Sequence, residues 1–260
     1  MQNKEIYKLY NIQENRNYKG TNNKFICTMK GEQGIFKLPL NSGSKDHIVE
    51  EICYRLANLL QIPCVYARVR KTEYGIGVFS RFEIKSEKIL IHANEIYNSI
   101  ELSTEEYIKL TLLLFGEKSK ILYKSIQLLA FDFLTGQIDR HLLNIAFTQT
   151  KKGTLNLYEL YDNGLALYSM RDDDTAINWL NKGNYSGRMG NGEHVYEALR
   201  YALCLCNSKI TNFIQLDKIN YNVVLDIIQN SDRYEQIIPE RAEAMAKFIC
   251  RQSDKLKELV

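Results

Sequence analysis

Apolar residues fall in short runs over the first third of the chain and take a helical period after it. FICTMK (25–30) and GIFKLPL (34–40) are two such runs. The polar stretch Lys30-Gly31-Glu32-Gln33-Gly34 lies between them, so the pair reads as a β-hairpin. Residues 15 to 23, polar and carrying Gly20, read as a turn before it. In DHIVEEICYRLANLL (46–60), Ile48, Ile52, Leu56 and Leu59 share one helical face. Asp46 is the expected cap of this helix and Pro63 its stop. YARVRK and GIGVFSRFEI then read as two more strands.

From about residue 104 the period becomes helical in STEEYIKLTLLLF, KSKILYKSIQLLAFDFL, EHVYEALRYALCLC, YNVVLDIIQN and PERAEAMAKFICRQSDKLKEL. Arg241, in the last of these, reads as helix surface. NIAFTQ and LNLYEL are two short strands joined by a Lys-Lys-Gly turn. Residues 168 to 193 are polar and glycine-rich and read as a surface or substrate loop. The expected fold is α+β: a small β-rich lobe with one helix (1–85), then a larger, mostly helical lobe (86–260).

Composition narrows the function. The net charge is +3 from 34 basic and 31 acidic residues, without the cationic excess of a nucleic-acid or membrane-surface binder. No apolar run approaches the roughly 20 residues of a membrane span. The first residues lack the apolar core of a secretory signal. A cytoplasmic protein is expected, with secretion by a signal-independent route left open. Cysteines at 27, 53, 64, 204, 206 and 250 form no C-x-x-C pair and read as reduced thiols in core positions.

The candidate chemistry lies in Gly136-Gln-Ile-Asp139-Arg140-His141-Leu-Leu-Asn144-Ile and in Leu160-Tyr-Asp162-Asn-Gly164. Phosphoryl transfer needs a carboxylate to orient the attacking hydroxyl, oxygen ligands for Mg²⁺ and a cation on the phosphates. Asp139 and Asn144, on one loop, can face the same phosphate. Asp162, at the end of the next strand, can reach a phosphate-bridging metal, and Mg²⁺ suits such oxygen donors. His141 can hold Asp139 by a hydrogen bond within the loop. Lys37 lies inside an apolar strand, where a charge is costly without a partner. A glutamate on the next helix is the expected partner. Helical geometry does not choose between Glu50 and Glu51, which flank the apolar face on opposite sides. Lys19 to Lys24, with Gly20 and Thr21, stands where a phosphate-covering loop belongs, although it has one glycine and no G-x-G-x-x-G.

These motifs resemble a known family. DRHLLNI is similar to the D-R-H-x-x-N catalytic loop of phosphatidylinositol 3- and 4-kinases, a spacing shared by HipA-like Ser/Thr protein kinases. YDNG resembles the segment that supplies the metal-binding Asp in the HipA-like group. Glu50-Glu-Ile-Cys53-Tyr-Arg-Leu56-Ala57 resembles its E-x-x-C-x-x-L-A helix, which selects Glu50. Val78-Phe-Ser-Arg81-Phe82-Glu83 resembles its R-F-D stretch, with Glu for Asp. The resemblance runs from about residue 18 to the end and is strongest with the short, stand-alone members, which lack the extra N-terminal subdomain of typical toxins.

The resemblance implies a two-lobed, protein-kinase-like fold binding ATP and Mg²⁺. It implies Lys37 on the α/β-phosphates and paired with Glu50, Gly20 and Thr21 in the phosphate cradle, and adenine against the backbone of Phe79 and Ser80. It further implies Asp139 and His141 as catalytic residues and Asn144 and Asp162 as metal ligands. Some members autophosphorylate a serine in the cradle, where this chain offers Thr21. The implied partners are a protein substrate and an antitoxin or regulatory protein, with no nucleic acid bound alone and no membrane. The alternatives are a lipid or small-molecule kinase on the same scaffold and a non-catalytic nucleotide- or partner-binding module. Gln137, where aminoglycoside phosphotransferases usually carry histidine, weighs against that subgroup.

Overall fold

The computed structural model describes residues 6–14, 24–81 and 88–259. Its first part runs β1 (Ile6–Tyr7), β2 (Tyr10–Glu14), β3 (Lys24–Met29), β4 (Glu32–Lys37), α1 (Asp46–Leu59), β5 (Ala67–Thr72) and β6 (Gly75–Arg81). The strands form one sheet in the order β1-β5-β6-β4-β3-β2. The predicted hairpin is β3–β4, in register with Phe25 opposite Phe36 and Lys24 opposite Lys37. On its other side β4 pairs with β6, which sets Lys37 opposite Val78 at the end of the strand.

Helix α1 lies against β5 and β6. Its Ile48, Ile52 and Leu56 are fully buried, each worth about 1.5–3 kcal/mol by the area removed from water. Both ends differ from the sequence expectation. Lys45 occupies the cap position without a side-chain hydrogen bond, and Asp46 is the first helical residue. The Asp46 carboxylate instead accepts from the Leu40 amide and the Ser44 hydroxyl, which ties down the segment after β4. At the other end Gln61 turns left-handed (φ 59°). The Ile62 amide then donates to the Ala57 carbonyl and the Gln61 amide to that of Asn58. This paired closure ends the helix before Pro63 is reached.

The second part contains β7 (Lys88–His92), α2 (Ala93–Tyr97), α3 (Thr104–Phe115), α4 (Lys120–Thr135), β8 (Ala146–Thr150), β9 (Leu155–Leu157), α5 (Asp173–Lys182), β10 (Ser186–Gly187), β11 (Gly190–Asn191), α6 (Gly192–Leu205), α7 (Tyr221–Ser231) and α8 (Pro239–Lys257). The five predicted helices are present, and β8 and β9 are the predicted strand pair. Strand β7, unforeseen, completes a three-stranded antiparallel sheet in the order β7-β8-β9. Among the described residues no helix is long and apolar enough to cross a membrane.

Three further expectations are corrected. The polar segment 168–193 contains α5, capped by Asp172, whose carboxylate accepts from the Thr175 amide. Its Ala176 and Leu180 are buried, and it packs on α8. Arg241 of α8 is fully buried, not a surface residue. It donates to the carbonyls of Tyr168 and Arg171 and pairs with Asp173 at 2.7 Å, fastening the start of α5. The cysteines are all free thiols, but Cys204 is exposed, because α6 turns it away from its apolar face.

Helix α4 ends at Gly136, left-handed at φ 59°, and this turn launches the Asp139 loop. A Cβ there would lie 2.9 Å from Cζ of Phe248 on α8. Gly136→Ala is therefore expected to destabilise the protein by about 1–3 kcal/mol, from backbone strain and overpacking together. Thermal melting and urea unfolding measure it, and an unchanged midpoint would show that neither constraint operates.

Candidate functional site

The site is built from the end of β4, α1, the loop after α4 and the loop after β9. Lys37 and Glu50 are both buried, with the Lys37 Nζ 3.7 Å from Glu50 Oε2. Lys37 also donates to Asp162 Oδ1 at 2.8 Å, closing a contact between residues 125 apart in sequence. Burial opposes the Lys37 charge, but Asp162 and Glu50 outweigh it and raise the pKa. Lys37 in turn holds the Asp162 carboxyl well below the usual carboxylate range. Burial raises the Glu50 carboxyl, and Lys37 partly offsets that.

Of the two glutamates the sequence left open, Glu50 faces Lys37. Glu51 lies on the other side of α1 and is completely buried. It accepts from Arg55 Nε, Arg68 Nη1 and the Val69 amide, at 2.9, 2.8 and 2.6 Å. Arg233, just beyond α7, reaches the same carboxylate at 3.3 Å. Glu51 thus fixes α1 to β5 and to the segment after α7.

The Asp139 loop is held from beneath by Arg140, which is buried. Its Nε and Nη2 form a two-pronged pair with Asp132 of α4, at 2.9 and 2.8 Å. It also donates to the carbonyls of Asn144 and Tyr161 and to Asn163 Oδ1. One guanidinium therefore sets the Asp139 loop and the Asp162 loop relative to each other. The family motif made this arginine visible, but its burial was missed. The signal was Asp132, a lone acid in the apolar run LLAFDFL.

Asp139 is oriented by its own loop. Its amide donates to Gln137 Oε1, and its carbonyl accepts from Asn144 Nδ2, both at 3.0 Å. Asn144 therefore keeps its side-chain oxygen for another partner. His141 does not play the part expected of it. Its Nε2 lies 3.9 Å from Asp139 Oδ2, beyond hydrogen-bond reach. Burial lowers its pKa, so the ring is largely neutral at pH 7. The carboxylate instead meets Arg188 Nε at 2.7 Å, a contact the sequence did not suggest.

Asp162 lies five residues past β9, not at its end, and takes a left-handed backbone at φ 54°. Gln137 Nε2 donates to its carbonyl at 3.4 Å. The placement of adenine at Phe79 and Ser80 is also corrected. Both lie in β6, hydrogen-bonded into the sheet between β4 and β5, and the Phe79 ring is in the apolar cluster of Leu9, Cys27, Met29 and Phe36. Their backbone is committed to the ladder. Gly20, Thr21, Phe82 and Glu83 lie outside the described residues.

Among the described residues, no group of three or more His, Cys, Asp and Glu side chains is arranged to hold a metal by itself. The candidate donors are Asp162 and Asn144, one carboxylate and one amide oxygen. Such a sparse set fits Mg²⁺, which takes one or two protein oxygens and completes its shell with water and phosphate. The local charge fits as well, since Lys37 faces the two carboxylates of Glu50 and Asp162.

A curled sheet whose lysine meets a carboxylate loop of a helical layer defines a kinase-like α+β fold. The chain belongs to the family described as the HipA-like C-terminal domain, which matches residues 17–249. In fold it is similar to the Helicobacter pylori proinflammatory kinase CtkA, with 17% identity, 96% of this chain and 92% of that chain covered, and a TM-score of 0.67. It is also similar to Shewanella oneidensis HipA, solved with HipB and operator DNA: 12% identity, 93% and 66% covered, TM-score 0.60. A third similar fold is hydra Fam20 solved with sugar, at 13% identity, 97% and 86% covered, and TM-score 0.54. No curated protein matches the chain in sequence.

Two predictions test this wiring. Asp132→Ala strands the buried Arg140 charge and is expected to cost about 3–5 kcal/mol in urea unfolding at pH 7. A loss below about 1 kcal/mol would remove the pair as the loop's anchor. The second uses pH. Because Lys37 depresses the Asp162 pKa, the stability gained from that pair is complete above the unfolded value of about 3.9 and is lost as pH falls through the lower folded value. Asp162→Asn should therefore be less stable than wild type at pH 7, with the gap closing in acid. A gap independent of pH would show that the charge of Asp162 is not what stabilises.

Proposed function

We propose that the chain is an ATP-dependent protein Ser/Thr kinase. The observation that carries this reading is the 2.8 Å contact of Lys37 with Asp162 across the cleft, with Glu50 behind the lysine. A buried, obligately charged lysine aimed at a carboxylate loop is the arrangement that phosphoryl transfer uses to hold phosphates beside a metal. In this reading the lobes divide at 85/86. Lys37 takes the α/β-phosphates and is kept in place by Glu50. Asp162 and Asn144 hold Mg²⁺, which when bound neutralises charge building on the phosphoryl oxygens. Asp139 orients the acceptor hydroxyl and takes its proton. Gln137 and Asn144 fix the Asp139 backbone, so the carboxylate is placed before the acceptor arrives. His141 serves the loop's shape, and burial disfavours its charged form. Free thiols throughout support a reducing, cytoplasmic site of action. The Shewanella HipA complex with HipB supports an antitoxin or regulatory partner here as well.

Binding and chemistry separate in variants. Lys37→Met removes the buried cation and should weaken ATP binding and abolish transfer. Asp139→Ala should bind Mg-ATP almost normally yet lose about 10²–10⁴-fold in transfer rate, the usual worth of a positioned base. Asp162→Ala should lose both. Calorimetry with a non-hydrolysable ATP analogue, beside transfer of labelled γ-phosphate to protein, reads the two effects. Wild-type transfer by both Asp139→Ala and Asp162→Ala would end the assignment of the D-R-H-x-x-N loop and of Asp162 to the chemistry. Nucleotide binding by a wild-type protein that transfers no phosphate to any acceptor would favour the non-catalytic module.

A further inference from the structure

The Asp139 loop is overlaid by the β10–β11 hairpin, with Arg188 at its turn. The Arg188 amide donates to the Ile138 carbonyl at 3.0 Å. At Gly187 a Cβ would sit 3.0 Å from the Gln137 carbonyl oxygen and 3.1 Å from Ile138 Cα, so the hairpin backbone rests directly on the loop. The Arg188 backbone is thus fixed, but its head is not. The side chain is 57% exposed, and its Nε holds Asp139 Oδ1 at 2.7 Å. An exposed ion pair of this kind contributes little and exchanges readily.

The guanidinium covers a carboxylate oxygen that an acceptor hydroxyl needs. A neutral acceptor that displaces it leaves Arg188 without a partner. An acceptor bringing its own carboxylate supplies a new one, and the displacement then costs almost nothing. The neighbourhood favours the same sign. A cavity of about 970 Å³ shares Ile138 with this loop and is lined by Arg171, Lys182 and Lys255 against Glu193 and Glu258.

We propose that Arg188 is the acceptor-specificity residue, selecting protein hydroxyls flanked by Asp or Glu by exchanging Asp139 for the acceptor's own acid. This rests on the reading of Asp139 as the group that orients the acceptor. The test uses two fluorescent serine peptides that differ only in carrying Asp/Glu or Lys/Arg beside the serine. Their binding is measured by anisotropy in the presence of a non-hydrolysable ATP analogue, and phosphate transfer by initial rates. Wild type should prefer the acidic peptide by about tenfold, the scale of one charge-assisted contact. Arg188→Lys should keep part of this preference, Arg188→Gln should lose it and Arg188→Glu should reverse it, with melting temperatures confirming that each variant is folded. Equal binding of both peptides by wild type and Arg188→Glu overturns the inference. So does transfer to anionic lipid vesicles with none to peptide. A charge preference that reverses in Arg188→Glu without any transfer would uphold acid recognition by Arg188 while ending the kinase reading. Transfer to both peptides with no preference would do the opposite.

Discussion

The candidate site depends first on a buried ion pair, Arg140 with Asp132. Desolvating both charges is expensive, and the geometry offsets that cost. Two parallel hydrogen bonds join guanidinium to carboxylate, and three further acceptors take the remaining donors. Those three acceptors lie at Asn144, Tyr161 and Asn163, in two loops that share no strand or helix. A hydrophobic residue at this position would pack, but it would not register one loop against the other. The pair therefore contributes position more than stability, and position is what the proposed phosphoryl transfer asks of a set of separated oxygens.

A second constraint comes from behind α1. Glu50 can face Lys37 only if the helix keeps its rotation, and the helix is held at several points. Glu51 ties it to Arg68, Val69 and Arg233. Arg55 reaches the Asn230 carbonyl, and His47 Nε2 lies 2.7 Å from Gln236 Oε1. The two adjacent glutamates thus divide the work, one turned toward the cleft and one toward the scaffold. Rotating α1 to withdraw Glu50 would pull a fully buried carboxylate away from Arg68, Arg233 and the Val69 amide. Control of this site by a swinging helix is therefore expensive, whereas movement of an exposed arginine over Asp139 is cheap.

The candidate site residues could be picked out because their types are improbable where they stand. A lysine in an apolar strand, two carboxylates and an asparagine at fixed spacing announce themselves at Lys37, Asp139, Asn144 and Asp162. The hairpin and the long helices were legible from their period. What stayed hidden was long-range. Strand β7 is a short apolar run that becomes a strand only because β8 lies beside it. Helix α5 was obscured by its polar composition, although Asp172 and Gly183, its two caps, stand in the sequence. Arg241 read as surface, and the burial of Arg140 went unread, because their carboxylate partners lie 68 and 8 residues away. His141 misled for the converse reason. Two residues from Asp139 in sequence, it is carried past hydrogen-bond reach by the extended backbone at 141.

These observations share an electrostatic logic. Among the described residues, the charges proposed to act already have protein partners: Lys37 has Asp162 and Glu50, and Asp139 has Arg188. Such pairing lets ionised groups remain charged in a partly buried site without ligand. It also means that any ligand must replace a partner rather than meet a bare charge. At Lys37 the replaced partner is a carboxylate, so the entering group must be anionic. At Asp139 the replaced partner is a cation, but the hydroxyl that enters in the proposed reaction is neutral. The two exchanges are therefore unequal. In the proposed reaction the first compensates itself with a phosphate oxygen, while the second leaves Arg188 uncompensated unless the acceptor carries an acid. On the proposed function, selectivity between acceptors falls on the second exchange, where the hairpin holds the arginine backbone fixed and leaves its head exposed.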